Sequence, residues 1–165
     1  MQVLGKLAKF FAIVGGLLMV FITLMTVVSV IGRDTIGKAI TGDFELSGAA
    51  CGAAIALFLP WCQFKRGNII VDFFTANTSE ATQSILDRIG ALILAAVMAV
   101  LAWRTTLGGI SAFKSNSGTM MLGFPEWIVY SAIVPGLALT CAIALAQALH
   151  GFTADTPETN PELAV

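Results

Sequence analysis

The sequence predicts an all-α integral membrane protein with four transmembrane helices and a short interfacial amphipathic helix between spans 2 and 3. Of its 165 residues, 57% are hydrophobic and only 12% are charged, whereas soluble domains carry about 25% charged residues. A chain of this length cannot bury so much apolar surface in a core of its own. The net charge of −1 also gives no basic face for binding nucleic acid.

Four stretches with few charges are long enough to cross a bilayer, because a helix needs about 20 residues to span the hydrocarbon core. Lipid offers the backbone no hydrogen-bond partners, so each span must be helical. Arg104 interrupts the third stretch, and apolar residues on both sides of it set the predicted ends of that span. The predicted spans are about 10–32, 45–64, 84–113 and 126–149.

Residues 1–150 are therefore predicted to form one transmembrane domain. The first apolar run is longer than the core of a signal peptide and lacks a small-residue cleavage site after it, so we expect it to remain as a span. The last 15 residues, 151–165, contain two prolines and three acids and are predicted to form a disordered acidic tail.

The segment after span 2 is too short to cross a membrane and too apolar for an ordinary loop. As a helix, Ile69–Phe74 places Asp72 opposite an apolar face, which is typical of a helix lying at the membrane surface. Arg66 would lie at the membrane boundary, and Gly67 would allow a sharp bend. A buried strand and a re-entrant turn are the alternatives. The apolar face consists of Ile70, Phe73 and Phe74.

Lysine and arginine predict the orientation, because they are enriched in short cytoplasmic loops. One side of the membrane would carry both termini and the loop 65–88, and the other side the remaining two loops. The first side holds Lys6, Lys9, Lys65, Arg66 and Arg88; the second holds Arg33, Lys38 and Lys114, together with Arg104 if it reaches that surface. This bias predicts that both termini lie in the cytoplasm.

Two charged residues near the spans have two interpretations each. Glu45 opens span 2, where a carboxylate either carries protons or is favoured by the positive end of the helix. Arg104 follows Trp103, which suggests an interfacial pair whose guanidinium extends to the headgroups. Alternatively, Arg104 is a buried cation that pairs with a carboxylate of a partner.

Glycines and prolines inside the spans suggest packing and bending. Gly48 and Gly52 have the small-xxx-small spacing that lets membrane helices approach closely, and we expect a packing face there, within the chain or toward a partner. Pro60 and Pro135 each remove a backbone hydrogen bond and can kink a helix. Such breaks sometimes form ion sites, but no acidic or amide residue directly adjoins either proline in the sequence.

No cofactor is expected. Cys51 and Cys62 would be about 16 Å apart on one helix, which is beyond disulfide reach, and we interpret both, with Cys141, as small hydrophobic residues. His150, the only histidine, cannot provide the paired ligands of a membrane haem protein. These observations argue against a thiol oxidoreductase and against a haem or quinone anchor.

Two local patterns stand out beside the four-span plan. The first comprises Glu45, then Arg66, Gly67, Asn68, Ile69, Val71 and Asp72. The second, "LGFPEWIVYSAIVPG", contains Gly123, Pro125, Trp127, Tyr130, Pro135 and Gly136. With the four-span plan across nearly the whole chain, these patterns resemble the small membrane subunit (DctQ-like, Q subunit) of tripartite ATP-independent periplasmic (TRAP) transporters. The family often has histidine where this chain has Asn68. The resemblance implies a protein of the bacterial inner membrane.

The resemblance implies a subunit that scaffolds a large membrane subunit, which holds the substrate and sodium sites. It also implies a periplasmic binding protein that delivers carboxylates such as dicarboxylates, keto acids or sialic acid. The alternative is a self-sufficient, proton-coupled four-span exporter acting as a homo-oligomer, but it would need a mid-span carboxylate, and every acid lies at a span end or in a loop. The residues expected to serve structure or the partner interface are Glu45, Gly48, Gly52, Arg66, Gly67, Asp72, Arg104, Pro125, Trp127, Pro135 and Gly136.

Overall fold

The structure is a computed structural model and describes residues 2–65 and 80–150. In these ranges it contains four helices that are long and apolar enough to cross a membrane, which confirms the predicted all-α membrane fold. The predicted surface helix, with Arg66, Gly67 and Asp72, lies outside the described residues, as does the predicted tail. The helices are α1 (Gln2–Ile36), α2 (Asp43–Phe64), α3 (Glu80–Ser115) and α4 (Glu126–His150).

Helices α1 and α3 are longer than their predicted spans. They contain 35 and 36 residues, which corresponds to more than about 50 Å at ~1.5 Å per residue. A hydrocarbon core is only ~30 Å thick, so both helices must tilt or extend beyond it. Charged residues such as Lys6 and Lys9 do not end α1, because lysine is a good helix former and the backbone stays hydrogen-bonded outside the core.

Residues with left-handed backbone conformation mark three of the helix boundaries. Gly37 follows α1 with φ +70°, and Asn116 follows α3 with φ +48°. Glycine and asparagine adopt this conformation at low cost, which is why they commonly follow a helix. Gly42, with φ +76°, directly precedes α2. Its carbonyl accepts a hydrogen bond from the Leu46 N–H at 3.0 Å.

The helices pack in the order α1–α2–α4–α3, as an open row rather than a closed bundle. Helix α1 packs against α2 and contacts α4 only slightly, and α3 packs mainly on α4. The central helices α2 and α4 run parallel, and each outer helix runs antiparallel to its neighbour. The described chain therefore begins and ends at the same end of the row, and the α1–α2 and α3–α4 loops meet at the other, here called the loop end.

The buried core is small and consists mostly of alanines along the seams between helices. One cluster joins α1 and α4 through Ala8, Leu139 and Ile143, with Trp61 and Phe64 of α2 packed against it. Long rows of aliphatic side chains on α1 and α3 remain exposed. Because so much contiguous apolar surface is not stable in water, lipid or another membrane protein must cover these two helices.

Candidate functional site

Glu45 joins the start of α2 to the α3–α4 loop. The backbone N–H of Met121 donates to Glu45 Oε1 at 3.0 Å and lies 3.2 Å from Oε2. The Leu122 N–H donates to Oε2 at 3.4 Å. Glu45 lies in the first turn of α2, as a helix-dipole role requires,. Its oxygens are also engaged by the α3–α4 loop, a role that a single sequence cannot reveal because the partners are backbone groups 76 and 77 residues away.

The α3–α4 loop, residues 116–125, has a defined internal structure that presents these amides. The Gly123 N–H donates to the Thr119 carbonyl at 2.9 Å, and the Phe124 N–H donates to Thr119 Oγ1 at 3.1 Å. Gly123 has φ +61°, a conformation that suits glycine. Pro125 pairs with Gly118 in an isolated β-bridge and directly precedes α4. The residues "GFP" of the second family pattern therefore shape this turn.

A second set of polar contacts fixes the α1–α2 loop. Ser29 is buried, and its hydroxyl donates to Asp43 Oδ2 at 2.5 Å. The Ile40 N–H donates to Ser29 Oγ at 3.2 Å. Leu122 packs against Gly42, and the Leu122 side chain occupies the space that a side chain at residue 42 would fill. Sequence reasoning missed Ser29, although a hydroxyl near the end of an apolar span is the signal that could have identified it.

Replacing Glu45 by alanine is expected to release the α3–α4 loop. The backbone amides of Met121 and Leu122 would lose their acceptor, so the loop would open more often. We expect a cysteine at Met121, in a chain whose native cysteines are replaced, to react with a maleimide several-fold faster in the Glu45→Ala background. Glu45→Gln keeps one acceptor oxygen and should have a smaller effect.

Asp34→Ala is the matched control for this experiment. Asp34 is an exposed acid near the end of α1, and its side chain makes no hydrogen bond with any described residue. Its removal should leave the reaction at Met121 unchanged. Equal rates in the Glu45→Ala and wild-type backgrounds would show that the carboxylate does not hold the loop.

Glycine at the helix seams allows the closest backbone contacts. A Cβ on Gly136 would overlap the carbonyl group of Ala56, at the crossing of α4 and α2. On α1, a Cβ on Gly15 would lie 3.2 Å from the Ala54 carbonyl oxygen of α2. Gly136 was among the residues predicted from sequence, and Gly15 was missed. The Gly15–Gly16 pair in the middle of a span is the signal that could have identified it.

Aromatic side chains pack the seam between α3 and α4. Tyr130 lies against Gly108 and Gly109, where a Cβ on Gly109 would be 2.9 Å from Tyr130 Cβ. Trp127 meets Phe113 edge to face, with ring centroids 5.7 Å apart, a favourable arrangement for aromatic rings. Trp127 and Tyr130, both from the second family pattern, therefore lie at this helix contact.

Gly48 and Gly52 do not pack against any helix that the structure describes. Both are exposed, and a Cβ on either would meet nothing within 4 Å. The predicted packing face is therefore not internal to the described chain and stays a prediction for a partner. Pro60 is buried and Pro135 is exposed, and α2 and α4 continue through them.

A buried amide pair joins α2 and α4 near their carboxyl ends. Gln63 Nε2 donates to Gln147 Oε1 at 2.7 Å, and Gln147 Nε2 donates to the Gln63 carbonyl oxygen at 3.1 Å. Both side chains are less than 10% exposed. Sequence reasoning missed this pair. The signal that could have identified it is that each of two spans has one amide side chain near its carboxyl end.

Arg104 extends from the outer side of the row. It is exposed, makes no hydrogen bond or ion pair with any described residue, and lies on α3 away from the seam with α4. The three cysteines, all in the described ranges, form no disulfide, and Cys141 Sγ lies 3.3 Å from the Ala95 carbonyl oxygen. Among the described residues, no three histidine, cysteine or acidic side chains are grouped to bind a metal ion.

These features define a multi-pass membrane protein with closely packed central helices and largely uncovered outer helices. At one end, hydrogen bonds hold the connecting loops to the helices. Residues 22–154 match the family model described as "Tripartite ATP-independent periplasmic transporters, DctQ component". The match covers most of the chain, which therefore belongs to this family and is the small subunit of a TRAP transporter. It is a transporter component rather than an enzyme. Neither the curated proteins nor the solved structures gave a match.

Proposed function

We propose that this chain is the scaffold that braces the large membrane subunit of its transporter. That subunit would carry out sodium-coupled uptake of a carboxylate solute delivered by a periplasmic binding protein. The observation that carries the proposal is the family match over residues 22–154. The open helix row supports it, because the exposed apolar sides of α1 and α3 offer surface for a larger membrane protein.

The central helices also support a scaffold role for this chain and solute binding by the large subunit. Gly48 and Gly52 lie on a side of α2 that no described helix covers, and small residues let a neighbouring helix approach closely. The acids of the described helices lie at or near the helix ends, as Asp34, Asp43, Glu45, Asp87 and Glu126 illustrate. Solute or ion coordination within the membrane would accordingly fall to the partner.

A mild-detergent pull-down tests the proposal. The chain, tagged at its carboxyl end, is expected to recover one large polytopic membrane protein in about equal amount from its native membranes. Sodium and carboxylate binding are then expected on that partner and not on this chain alone. Recovery of this chain by itself, with solute transport after its reconstitution alone, would overturn the proposal and favour the homo-oligomeric exporter.

The proposed orientation places both termini in the cytoplasm of a bacterium and the loop end in the periplasm. The lysine and arginine asymmetry supports it. The Met121→Cys reporter described above, in the native Glu45 background, tests it. A membrane-impermeant maleimide should label this cysteine in intact cells whose outer membrane is permeable to the reagent. Labelling only after the inner membrane is opened would reverse the orientation.

A further inference from the structure

Contacts between α3 and α4 determine the depth of Arg104 in the membrane. Cys141 lies against Ala95, and Tyr130 lies against Gly109. Interpolation between these two contacts places Arg104 level with about Val134. At ~1.5 Å per residue, Val134 is about 12 Å along α4 from Glu126, the acid that opens that helix.

The position of α2 leads to the same depth. Gly136 of α4 lies at the crossing with Ala56 of α2. Val134, and with it Arg104, is therefore level with about residue 54 of α2. That level is nine residues, or about 14 Å, along α2 from Glu45. Charged side chains at span ends lie at the membrane boundary, and the hydrocarbon core is ~30 Å thick. Arg104 therefore lies close to the middle of the core. Of the two interpretations from the sequence, this register favours the buried cation over the arginine at the interface.

The surroundings of Arg104 are apolar and uncovered. Val97, Val100 and Leu107 lie on the same side of α3, since they are separated from residue 104 by seven, four and three positions. Together with Arg104 they are here called the Arg104 stripe, and the three aliphatic members are between 44% and 61% exposed. The opposite side of α3 is buried against α4. Arg104 is thus the one charged residue of an otherwise aliphatic stripe.

Two features prevent Arg104 from reaching water or headgroups. First, Arg104 lies more than 10 Å along the helix axes from Glu45 and Glu126, the acids at the loop end. Second, side chains on a helix lean toward its amino terminus. For α3 this direction is away from the loop end, so the guanidinium leans toward the far half of the membrane. A lipid-exposed arginine at this depth is energetically costly, and such residues are found paired inside membrane proteins.

We propose that Arg104 forms an ion pair with a carboxylate in a transmembrane helix of the large membrane subunit, and that the Arg104 stripe is part of that interface. This inference rests on the proposed function and identifies the helix through which the partner is held. A second copy of this chain does not supply a carboxylate at this depth, because the acids of the predicted spans, Glu45, Asp87 and Glu126, all lie within the first four residues of their spans. A lipid phosphate is excluded by depth, and the bidentate geometry of arginine suits a carboxylate.

The test compares variants of this chain co-expressed with the large subunit that the wild type recovers. Arg104→Leu is expected to reduce the recovered complex at least tenfold, because the partner's carboxylate would remain buried without a counter-ion. Arg104→Lys should retain part of the binding, since the charge stays but the bidentate contact is lost. Lys114→Leu, in the last turn of the same helix, is the control and should leave recovery unchanged.

A stability measurement separates lost binding from lost folding. In detergent, the isolated Arg104→Leu chain is expected to be at least as heat-stable as the wild type, because the exposed Arg104 side chain makes no hydrogen bond or ion pair with any described residue. As an independent measurement, a photo-cross-linker at Val100, with Arg104 intact, should form a covalent product with a transmembrane peptide of the large subunit.

The outcomes distinguish this inference from the proposed function. If the wild type recovers the large subunit and Arg104→Leu recovers it equally well, the ion pair is disproved and the scaffold function stands. Cross-linking from Val100 to lipid alone would likewise disprove the interface. If the wild type recovers no large subunit, both proposals fail together.

Discussion

Replacing Gly136 by leucine is expected to prevent α2 and α4 from packing and to abolish accumulation of the folded chain. A Cβ at this position would lie 2.7 Å from the Ala56 carbonyl carbon and would also overlap its oxygen. The obstacle is backbone, so no side-chain rotation can relieve it and the two central helices must separate. Overpacking of cores costs about 1–3 kcal/mol, and we expect a cost at or above the upper end. Heat denaturation in detergent and the amount of protein in the membrane measure it.

Gly52→Leu is the matched control, because it makes the same change on the uncovered side of α2. No atom lies within 4 Å of a Cβ there, so the stability of the isolated chain should change by less than about 0.5 kcal/mol. If the large subunit packs on this side, the same variant should lower its recovery. Equal stability of the Gly136→Leu and Gly52→Leu chains would contradict the packing described for α2 and α4.

Replacing Gln147 by leucine is expected to destabilise the chain. Gln147→Leu removes both hydrogen bonds of the amide pair, whereas Gln63→Leu leaves the bond from Gln147 Nε2 to the Gln63 backbone carbonyl. A buried polar group that loses its partner costs about 1–3 kcal/mol, although hydrogen bonds between membrane helices average only about 0.6 kcal/mol. We therefore expect a loss of about 1–2 kcal/mol for Gln147→Leu.

The double variant tests whether the two amides act together. If they do, Gln63→Leu combined with Gln147→Leu should cost less than the sum of both single losses. Heat or denaturant unfolding of the four proteins in one detergent gives this comparison. Fully additive losses would be inconsistent with the observed bonding between the two residues.

The sequence predicted the four spanning helices and where each lies, and helices α1 and α3 extend beyond the predicted spans. Charge-free windows located the spans because lipid excludes unpaired charges and forces the backbone into helices. The same windows do not mark the ends of α1 and α3, since helix formation does not stop where the hydrocarbon stops. Gly37 and Asn116 mark the actual ends, through backbone conformation rather than charge.

The candidate site was predictable only in part: roles that depend on neighbouring residues could be predicted, and contacts between residues distant in the sequence could not. Gly123 and Pro125 belong to a family pattern, and their roles in a turn follow from residue type. Glu45 was located at a helix start, yet its partners in the α3–α4 loop lie far along the chain. Gly48 and Gly52 attracted attention by spacing, whereas the close contact is made by Gly136. Spacing along one helix does not say which side another helix covers.

Composition and the positions of charges were sufficient to establish a four-span membrane protein, because the cost of charge and of unpaired backbone groups in lipid depends on local sequence alone. Only the packing of the helices decided that they form an open row, that Gln63 meets Gln147, and that Arg104 lies on the side of α3 away from α4. Each of these depends on the register between helices that are distant in sequence. That register is determined by the fit of side chains across the seams, which one helix by itself does not contain.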